Sequence, residues 1–319
     1  MQAVVIHAPG GPEQLTLAEL PHPIAGPGEV LVDVAFAGCN WADTQIRTGL
    51  YPHPVTYPLV LGFEIAGTVA ALGPGVAGVN VGDRVATLVE RGGAYAEKCA
   101  VPAAGLISLP DAIALDVAAA FPIQALTAYH MLYTVFGIEP GDTVLINAIG
   151  GGVGLFCTQL AVRAGARVIG TVGTPGKEKR ALDYGAARVV LRHEQDFEWA
   201  VLDFTGGKGV DLAIDSLGAT TLDRTFNVVR KLGHGPVSTL GVVRPQLTLA
   251  GVDRWRDEIS VRSQSRACRC RRRSELGAED RRRVATNAST VISPFGGSAK
   301  SLGWAIRSRT SVRSMIMCS

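Results

Sequence analysis

Hydrophobic residues in the first part of the chain occur in short runs. Three of these runs, at residues 30–36, 59–69 and 84–88, predict β-strands, and turn sequences with Gly and Pro occur at residues 26–28, 73–75 and 82–83. The pattern therefore predicts a compact, mostly β unit over residues 1–118.

A different pattern begins near residue 119, where strand-like and helix-like segments alternate. The predicted strands cover residues 143–147, 167–171, 188–191 and 210–215, and the predicted helices cover residues 152–164, 176–184, 194–204 and 220–232. Such alternation is typical of parallel strands joined by right-handed crossovers. The predicted fold class is therefore α/β, with a doubly wound parallel sheet in residues 119–243. A further short strand is predicted at residues 237–241.

The last part of the chain has a different composition. Residues 1–243 contain 15 Lys and Arg against 22 Asp and Glu, whereas residues 244–319 contain 16 against 6. Only ten of the 60 residues from 260 to 319 are Leu, Ile, Val or Phe, below the ~20% at which a highly charged segment is expected to be disordered. We therefore predict that residues 244–319 form an atypical, poorly ordered Arg- and Ser-rich tail. Nucleic-acid binding by this tail is disfavoured because few aromatic residues lie between its arginines.

Composition also limits the cellular context. Hydrophobic residues make up 47% of the chain and charged residues 18%, which predicts a folded protein. The N-terminus lacks the basic start of a signal peptide, and no uncharged apolar run reaches the ~18 residues that a membrane span requires. The six Cys residues show no C-x-x-C spacing, which is typical of a reducing compartment. We therefore expect a cytoplasmic protein.

The clearest functional motif follows the predicted strand at residues 143–147. The strict G-x-G-x-x-G spacing is not met because Ile149 occupies the first glycine position, but Ala148, Gly151 and Gly154 satisfy A-x-x-G-x-x-G. A glycine loop between a strand and a helix lets the backbone approach a diphosphate, which the helix N-terminus stabilises. The motif predicts dinucleotide binding by the following loop residues: Ala148, Gly150, Gly151, Gly152, Val153 and Gly154.

The second predicted strand refines the choice of dinucleotide. NAD sites usually carry an acidic residue here for the ribose hydroxyls, whereas this chain has Gly173 and Thr174, followed by Lys177. The missing carboxylate and the nearby cations, which include Lys179 and Arg180, favour the 2′-phosphate of NADPH. We predict that Gly173, Thr174 and Lys177 bind this cofactor. The alternative is that the cations form a solvated helix face.

Metal and hydrolase motifs are missing from the sequence. None of the six His residues has the spacing of a metal site, and H-E-x-x-H, G-x-S-x-G and Walker A sequences do not occur. The sequence therefore predicts neither a metal site nor hydrolytic chemistry.

From residue 1 to about 235, the chain resembles the medium-chain dehydrogenase/reductase superfamily, in particular its zinc-free quinone oxidoreductase (zeta-crystallin-like) branch. The resemblance rests on the glycine loop, on the second-strand sequence IGTVGTPGK, and on the segments GCNWAD (38–43), IRTGLY (46–51), LGFE (61–64), VGDRV (81–85) and GGAYAE (92–97). It implies a GroES-like catalytic domain over residues 1–118, a Rossmann NADP-binding domain over residues 119–243, and a homodimer. The edge that forms this dimer in the family falls in the altered C-terminal region.

Zinc-dependent members of this superfamily bind their catalytic metal at positions that correspond to Asn40, Phe63 and about Ile123. Phe and Ile cannot bind zinc and Asn is a poor ligand, so the resemblance implies a metal-free site. It also implies hydride transfer from NADPH to a quinone or conjugated enone.

The resemblance further assigns individual roles. Asn40 is predicted to donate a hydrogen bond to the acceptor oxygen, Tyr51 to donate or stack, and Asp43 to orient the site; a turn or capping role is the alternative for each. Gln124 and Thr127 are predicted to line the cofactor cleft. Two other functions stay open: an enoyl or alkenal double-bond reductase, including polyketide enoyl reductases, and a non-catalytic NADPH-binding protein.

Beyond Gly241 the resemblance ends, and we predict a change of reading frame near residues 235–241 of a GC-rich gene. Translation of the neighbouring frame is expected to give further alternating strands and helices, a final helix and an apolar terminal strand. Sequencing and translating the coding DNA checks this directly. A neighbouring frame without such a pattern contradicts the prediction.

Overall fold

The computed structural model describes residues 1–51, 55–237 and 305–307. Helix α1 (Trp41–Arg47) lies among the strands of the N-terminal part, which are as follows: β1 (Gln2–Ile6), β2 (Thr16–Glu19), β3 (Glu29–Gly38), β4 (Leu59–Val60), β5 (Glu64–Leu72), β6 (Arg84–Leu88), β7 (Lys98–Pro102) and β8 (Ile107–Ser108). The strands pair in antiparallel fashion, with β3 joined to β5 and β7, and β5 joined to β6. The predicted β-rich start of the chain is confirmed.

Strand β3 shows why this part folds as a sheet. Val30, Val32 and Val34 are buried at every second position, as expected for a strand with one face in the core. Their cluster also contains side chains of β1, β5 and β6, including Ile6, Ile65 and Val85.

The strand predicted at residues 59–69 is interrupted. Gly62 has φ +90°, and a Cβ atom at this position would lie 2.3 Å from the Tyr95 ring. Positive φ is accessible to glycine at little cost and breaks regular strand geometry. The segment therefore forms two strands, β4 and β5, and Glu64 begins the second one.

The second part of the chain alternates helices and strands. Its elements are α2 (Leu115–Ala119), α3 (Pro122–Tyr129) with a π-helical continuation (His130–Phe136), β9 (Thr143–Asn147), α4 (Gly152–Arg163), β10 (Arg167–Val172), α5 (Glu178–Asp183), β11 (Arg188–Leu191), α6 (Phe197–Phe204), β12 (Val210–Ile214), α7 (Leu222–Asn227) and β13 (Val229–Val237). The sheet has the order β11-β10-β9-β12-β13, and every pair in it is parallel. The predicted doubly wound sheet is confirmed.

Both faces of this sheet are covered. Val144 and Ile146 pack with residues of α3 and α4, whereas Leu145, which lies between them, packs with residues of α6. Strands that are buried on both faces read as continuous apolar runs, which is why residues 143–147 were recognisable.

Two predicted helices differ from the structure by three residues or more at one end. The helix predicted over residues 220–232 ends at Asn227, and β13 begins at Val229, which pairs with Val210 of β12. Pairing with the central sheet overrides the local helical pattern here. The helix predicted from residue 194 begins at Phe197, because the Asp196 side chain caps it by accepting a hydrogen bond from the Glu198 N–H at 2.9 Å.

The Arg-rich tail contributes one described element. Strand β14 (Ala305–Arg307) pairs antiparallel with residues 36–38 of β3, and the poor order of the tail as a whole stays a prediction. The remaining predictions for residues 244–319, and most of the strand predicted at 237–241, lie outside the described residues. In the part of the chain that is described, no helix has both the length and the apolar character of a membrane span.

The loop after β9 is anchored by one reciprocal packing contact. Ile149 is fully buried, and a Cβ atom at Gly170 of β10 would lie 2.5 Å from its Cδ1 atom. The missing side chain at position 170 therefore makes room for Ile149. This explains why the first glycine position of the loop can hold a large residue.

Replacing Gly170 with Ala is expected to lower the free energy of unfolding by about 1–3 kcal/mol, because it overpacks this contact. Urea denaturation measures the change. Gly105→Ala is the matched control, because its Cβ atom would meet only Thr87 Oγ1, at 3.5 Å. An equal loss in both variants contradicts the packing account.

Candidate active site

The loop between β9 and α4 lies at the carboxyl end of the parallel sheet. Ala148 has φ +56°, and among the described residues it is the only one other than glycine with a positive φ. The Ile149 N–H donates to the Thr171 carbonyl oxygen at 3.0 Å, and the Gly151 N–H donates to the Ala148 carbonyl oxygen at 2.9 Å. These bonds hold a tight turn, after which α4 begins at Gly152.

Two glycines of this loop leave no room for a side chain. A Cβ atom at Gly154 would lie 2.7 Å from the Ala148 carbonyl oxygen, and one at Gly152 would lie 1.8 Å from Gln124 Oε1. A Cβ atom at Gly151 would lie 3.3 Å from that same Ala148 oxygen. The close approach of α4 to the loop therefore depends on Gly154, whereas Gly152 leaves room for the end of the Gln124 side chain. Val153 packs at the edge of the core.

Two cationic side chains lie against glycines at the ends of β9 and β10. A Cβ atom at Gly150 would lie 3.0 Å from Lys177 Cβ, and one at Gly173 would lie 2.3 Å from Arg192 Nη2. The Lys177 N–H also donates to the Thr174 carbonyl oxygen, at 3.4 Å. The structure thus brings the predicted residues Gly150, Gly173, Thr174 and Lys177 together, and their binding role stays a prediction.

Sequence reasoning missed Arg192. It follows β11, and neighbouring parallel strands bring their carboxyl ends to one edge of the sheet, so its position after the third predicted strand was the available signal. In contrast, Lys179 is exposed and forms an ion pair with Asp183 at 2.8 Å. Lys179 therefore lies on a solvated helix face, which was the alternative to cofactor binding.

A buried polar cluster fixes the strand ends beneath the loop. Asn147 Nδ2 donates to Asp215 Oδ2 at 3.0 Å, and Thr171 Oγ1 donates to Asn147 Oδ1 at 2.7 Å. Thr225 Oγ1 donates to Asp215 Oδ2 at 2.8 Å. These bonds connect β9, β10 and α7. A buried polar network whose groups all have partners favours one arrangement of the elements that it joins.

The N-terminus of α1 carries two of the predicted catalytic residues. The Asn40 N–H donates to Asp43 Oδ2 at 2.7 Å, and the Tyr95 hydroxyl donates to the same oxygen at 2.9 Å. Asp43 is buried, and this burial raises its pKa to about 6, although the two donors act in the opposite direction. Asp43 therefore caps the N-terminus of α1, which the sequence analysis gave as the alternative to a role in the site, and its carboxylate fixes the backbone of Asn40.

The Asn40 side chain connects two further residues. Asn40 Nδ2 donates to Glu64 Oε1 at 2.7 Å, and Gln124 Nε2 donates to Asn40 Oδ1 at 3.2 Å. The Ile123 N–H donates to Glu64 Oε2 at 2.8 Å. We call Glu64, Asn40 and Gln124 the amide chain.

Glu64 is the second residue that sequence reasoning missed. Its side chain is fully buried, and burial raises its pKa to about 7, partly opposed by the hydrogen bonds from Ile123 and Asn40. The sequence did offer one signal, because Glu64 is the only charged residue in the apolar run between positions 59 and 69.

The structure separates the two residues predicted to line the cofactor cleft. Gln124 is buried against Gly152 of the loop. Thr127 instead lies on a mainly apolar cleft of about 470 Å³, which is lined by Leu88, Pro122, Ile123, Leu126, Thr127, His130, Met131 and Val135.

Tyr51 is partly buried at the edge of the N-terminal core. Its predicted contact with an acceptor stays a prediction.

The positions that bind zinc in related enzymes are occupied differently here. Ile123 offers its backbone N–H to Glu64, and Asn40 is hydrogen-bonded to the same carboxylate. Within residues 1–51, 55–237 and 305–307, no three His, Cys, Asp or Glu side chains are grouped so that they could hold a metal ion. The metal-free chemistry stays a prediction from residue types.

Comparison with known proteins places this chain in a family. Residues 26–111 match the model of the alcohol dehydrogenase GroES-like domain, and residues 152–275 match the model of the zinc-binding dehydrogenase. A 2-haloacrylate reductase of a Burkholderia species is 38% identical over 238 residues, which are 73% of this chain and 71% of that protein. The quinone oxidoreductase of Salmonella typhimurium is 38% identical over 256 residues, which are 77% and 78% of the two chains.

The chain belongs to the quinone oxidoreductase branch of the medium-chain dehydrogenase/reductase superfamily. A solved structure of the Escherichia coli quinone oxidoreductase, in complex with NADPH, has 36% identity and a TM-score of 0.70, and the match covers 76% of each chain. The predicted GroES-like and Rossmann-type folds of this branch are thereby confirmed. The match to the zinc-binding dehydrogenase model extends to residue 275, whereas the sequence analysis placed the end of the family resemblance at about residue 235.

The buried carboxyl of Glu64 predicts a pH dependence of stability in this family member. Its pKa is 4.5 without the protein environment and about 7 in the fold, so the folded state binds the extra proton between these values. The free energy of unfolding is therefore expected to fall by about 3 kcal/mol from pH 4.5 to pH 7 on account of Glu64.

Urea denaturation at several pH values measures this dependence. Glu64→Gln is expected to remove the Glu64 component and to leave the smaller decrease from Asp43, whose pKa is raised from 3.8 to about 6. The same pH dependence in the variant and in the unsubstituted protein contradicts the assignment.

Proposed function

We propose that the chain is an NADPH-dependent oxidoreductase that transfers a hydride to a quinone or conjugated enone without a metal ion. The observation that supports this proposal is that the Cβ atom of Lys177 lies beside Gly150 of the loop, while the guanidinium group of Arg192 lies against Gly173 after β10. The relatives support it, since the quinone oxidoreductase of Escherichia coli and a mycobacterial relative are described as complexes with NADPH.

The geometry of the loop suits a dinucleotide. Helix α4 has 12 residues and begins after Gly151, so its first N–H groups and its positive dipole end are available to the diphosphate. Lys177 and Arg192 would then hold the 2′-phosphate, whereas an acidic residue at the end of β10 would repel it.

The proposed chemistry uses the amide chain. When bound, NADPH supplies a hydride from the nicotinamide ring to a conjugated carbonyl compound. Negative charge then develops on the acceptor oxygen, and Asn40 Nδ2 is proposed to stabilise it by donating a hydrogen bond. Asp43 orients Asn40 through the cap of α1, and Tyr51 is proposed to donate to or stack on the acceptor.

The apolar cleft beside α3 is proposed to receive the acceptor ring. Ile123 lines this cleft and also donates its N–H to Glu64, so this one residue links the cleft to the amide chain. Reduction of the carbon–carbon double bond of an enoyl compound or alkenal is the second candidate function, favoured by the 2-haloacrylate reductase among the relatives. A panel of quinones and enals distinguishes the two candidates.

Three further properties belong to this proposal. A small-molecule acceptor is the proposed partner, without nucleic acid, and a homodimer is proposed because the family resemblance implies one. A cytoplasmic location is proposed from the cysteine spacing.

Removing either phosphate-binding cation is expected to weaken NADPH binding. Lys177→Ala and Arg192→Ala should each raise the Kd for NADPH about tenfold, because each loses a charge-assisted hydrogen bond, while the Kd for NADH stays the same. Fluorescence titration with the two nucleotides measures both constants.

Lys179→Ala is the matched control, since Lys179 is exposed and paired with Asp183. It should bind NADPH as the unsubstituted protein does. Equal affinity of the unsubstituted protein for NADPH and NADH contradicts the proposed 2′-phosphate site, and binding without turnover of any acceptor supports the non-catalytic alternative.

A further inference from the structure

The amide chain contains a carboxylate in an unusual setting. Glu64 has no exposed surface, and none of the ion pairs among the described residues involves it. Its oxygens instead accept from two neutral donors, Asn40 Nδ2 at 2.7 Å and the Ile123 N–H at 2.8 Å. A buried carboxylate without a cation is costly, and carboxyl groups in such a setting are common at functional sites.

A role for Glu64 follows from the chemistry of the two groups. An amide has a donor end and an acceptor end of nearly the same size, whereas an ionised carboxylate can only accept. Glu64 therefore determines which end of the Asn40 amide faces it, namely Nδ2. Gln124 matches this orientation, because its Nε2 donates to Asn40 Oδ1.

One hydrogen of Asn40 Nδ2 is thus used by Glu64, and the second is left for a ligand. Asn40 is the partly exposed member of the amide chain, whereas Glu64 and Gln124 are buried. Asn40 is therefore the member that a bound acceptor can reach.

We propose that Glu64 is a positioning residue, which holds the Asn40 amide with its Nδ2 hydrogen directed to the acceptor oxygen. This inference rests on the proposed function, in which Asn40 stabilises the charge that develops on that oxygen. Glu64 itself touches neither acceptor nor cofactor.

A glutamine at position 64 would reverse this orientation without changing the shape of the side chain. The backbone N–H of Ile123 is a fixed donor, so the glutamine oxygen must face it and the glutamine NH₂ group must face Asn40. The Asn40 amide would then present Oδ1 on this side and direct its Nδ2 to Gln124, whose Oε1 is buried and has no hydrogen-bond partner among the described residues. This reversal requires the Gln124 amide to turn as well, and Asn40 then offers the acceptor a lone pair instead of a hydrogen.

The test compares two substitutions of Glu64 in the full chain. Glu64→Gln keeps the shape and reverses the amide, so at pH 8, where the Glu64 carboxyl of the unsubstituted protein is ionised, kcat with NADPH and a 1,4-quinone is expected to fall about 100-fold, as for the loss of an oxyanion donor. Its KM for the quinone should change less than kcat, and its Kd for NADPH should stay within about twofold of that of the unsubstituted protein because the nucleotide loop is untouched. Glu64→Asp is one methylene shorter but can only accept, so it should retain a higher kcat than Glu64→Gln.

A packing role predicts the opposite order, because Asp leaves a cavity and Gln does not. A kcat of Glu64→Gln equal to or above that of Glu64→Asp therefore overturns the inference. Melting curves at pH 8 establish that both variants are folded. Should Glu64→Gln fail to fold, Glu64→Asp carries the test, and a kcat as low as that of Asn40→Ala overturns the inference.

Asn40→Ala separates this inference from the proposed function. A large fall in kcat for Asn40→Ala, with no further fall in the double variant Asn40→Ala/Glu64→Gln, supports the positioning role. If Asn40→Ala lowers kcat and Glu64→Gln does not, the inference fails while the reductase function stands. If the unsubstituted protein reduces no acceptor, both fail.

Discussion

The hydrogen bonds from Glu64 through Asn40 to Gln124 connect the strand-rich part of the chain to the loop after β9. Glu64 begins β5, Asn40 precedes α1, and Gln124 lies on α3 against Gly152. Because Gly152 has no side chain, the Gln124 amide can lie against the loop. Three side chains and one glycine therefore connect the proposed acceptor site to the proposed nucleotide site.

Burial of the two carboxyl groups lowers the free energy of unfolding, but their hydrogen bonds fix the orientation of Asn40. Burial holds the pKa of Glu64 at about 7 and that of Asp43 at about 6, so ionising either carboxyl in the fold is unfavourable. Two neutral donors stabilise the ionised Glu64, and the Asn40 N–H and the Tyr95 hydroxyl do the same for Asp43. Groups of this kind are common at functional sites, where orientation matters more than the free energy of unfolding.

The sequence allowed the prediction of features that depend on local patterns. Strand β9 and the loop that begins at Ala148 were recognisable because an apolar run, small residues and a helix follow one another directly. Glu64 and Arg192 were missed because their neighbours come from distant segments: Glu64 meets Asn40 and Ile123, and Arg192 meets Gly173. The start of β13 at Val229 was mispredicted for the same reason, since its pairing with β12 overrides the local helical pattern.

The central claim is that reducing equivalents pass from NADPH to a conjugated acceptor without help from a metal ion. The most direct measurement is the rate of NADPH oxidation by the purified chain with a 1,4-quinone, in the presence and absence of a metal chelator. The account predicts turnover with NADPH that the chelator does not change. Turnover that the chelator abolishes, or no NADPH oxidation with any quinone or enone, would contradict it.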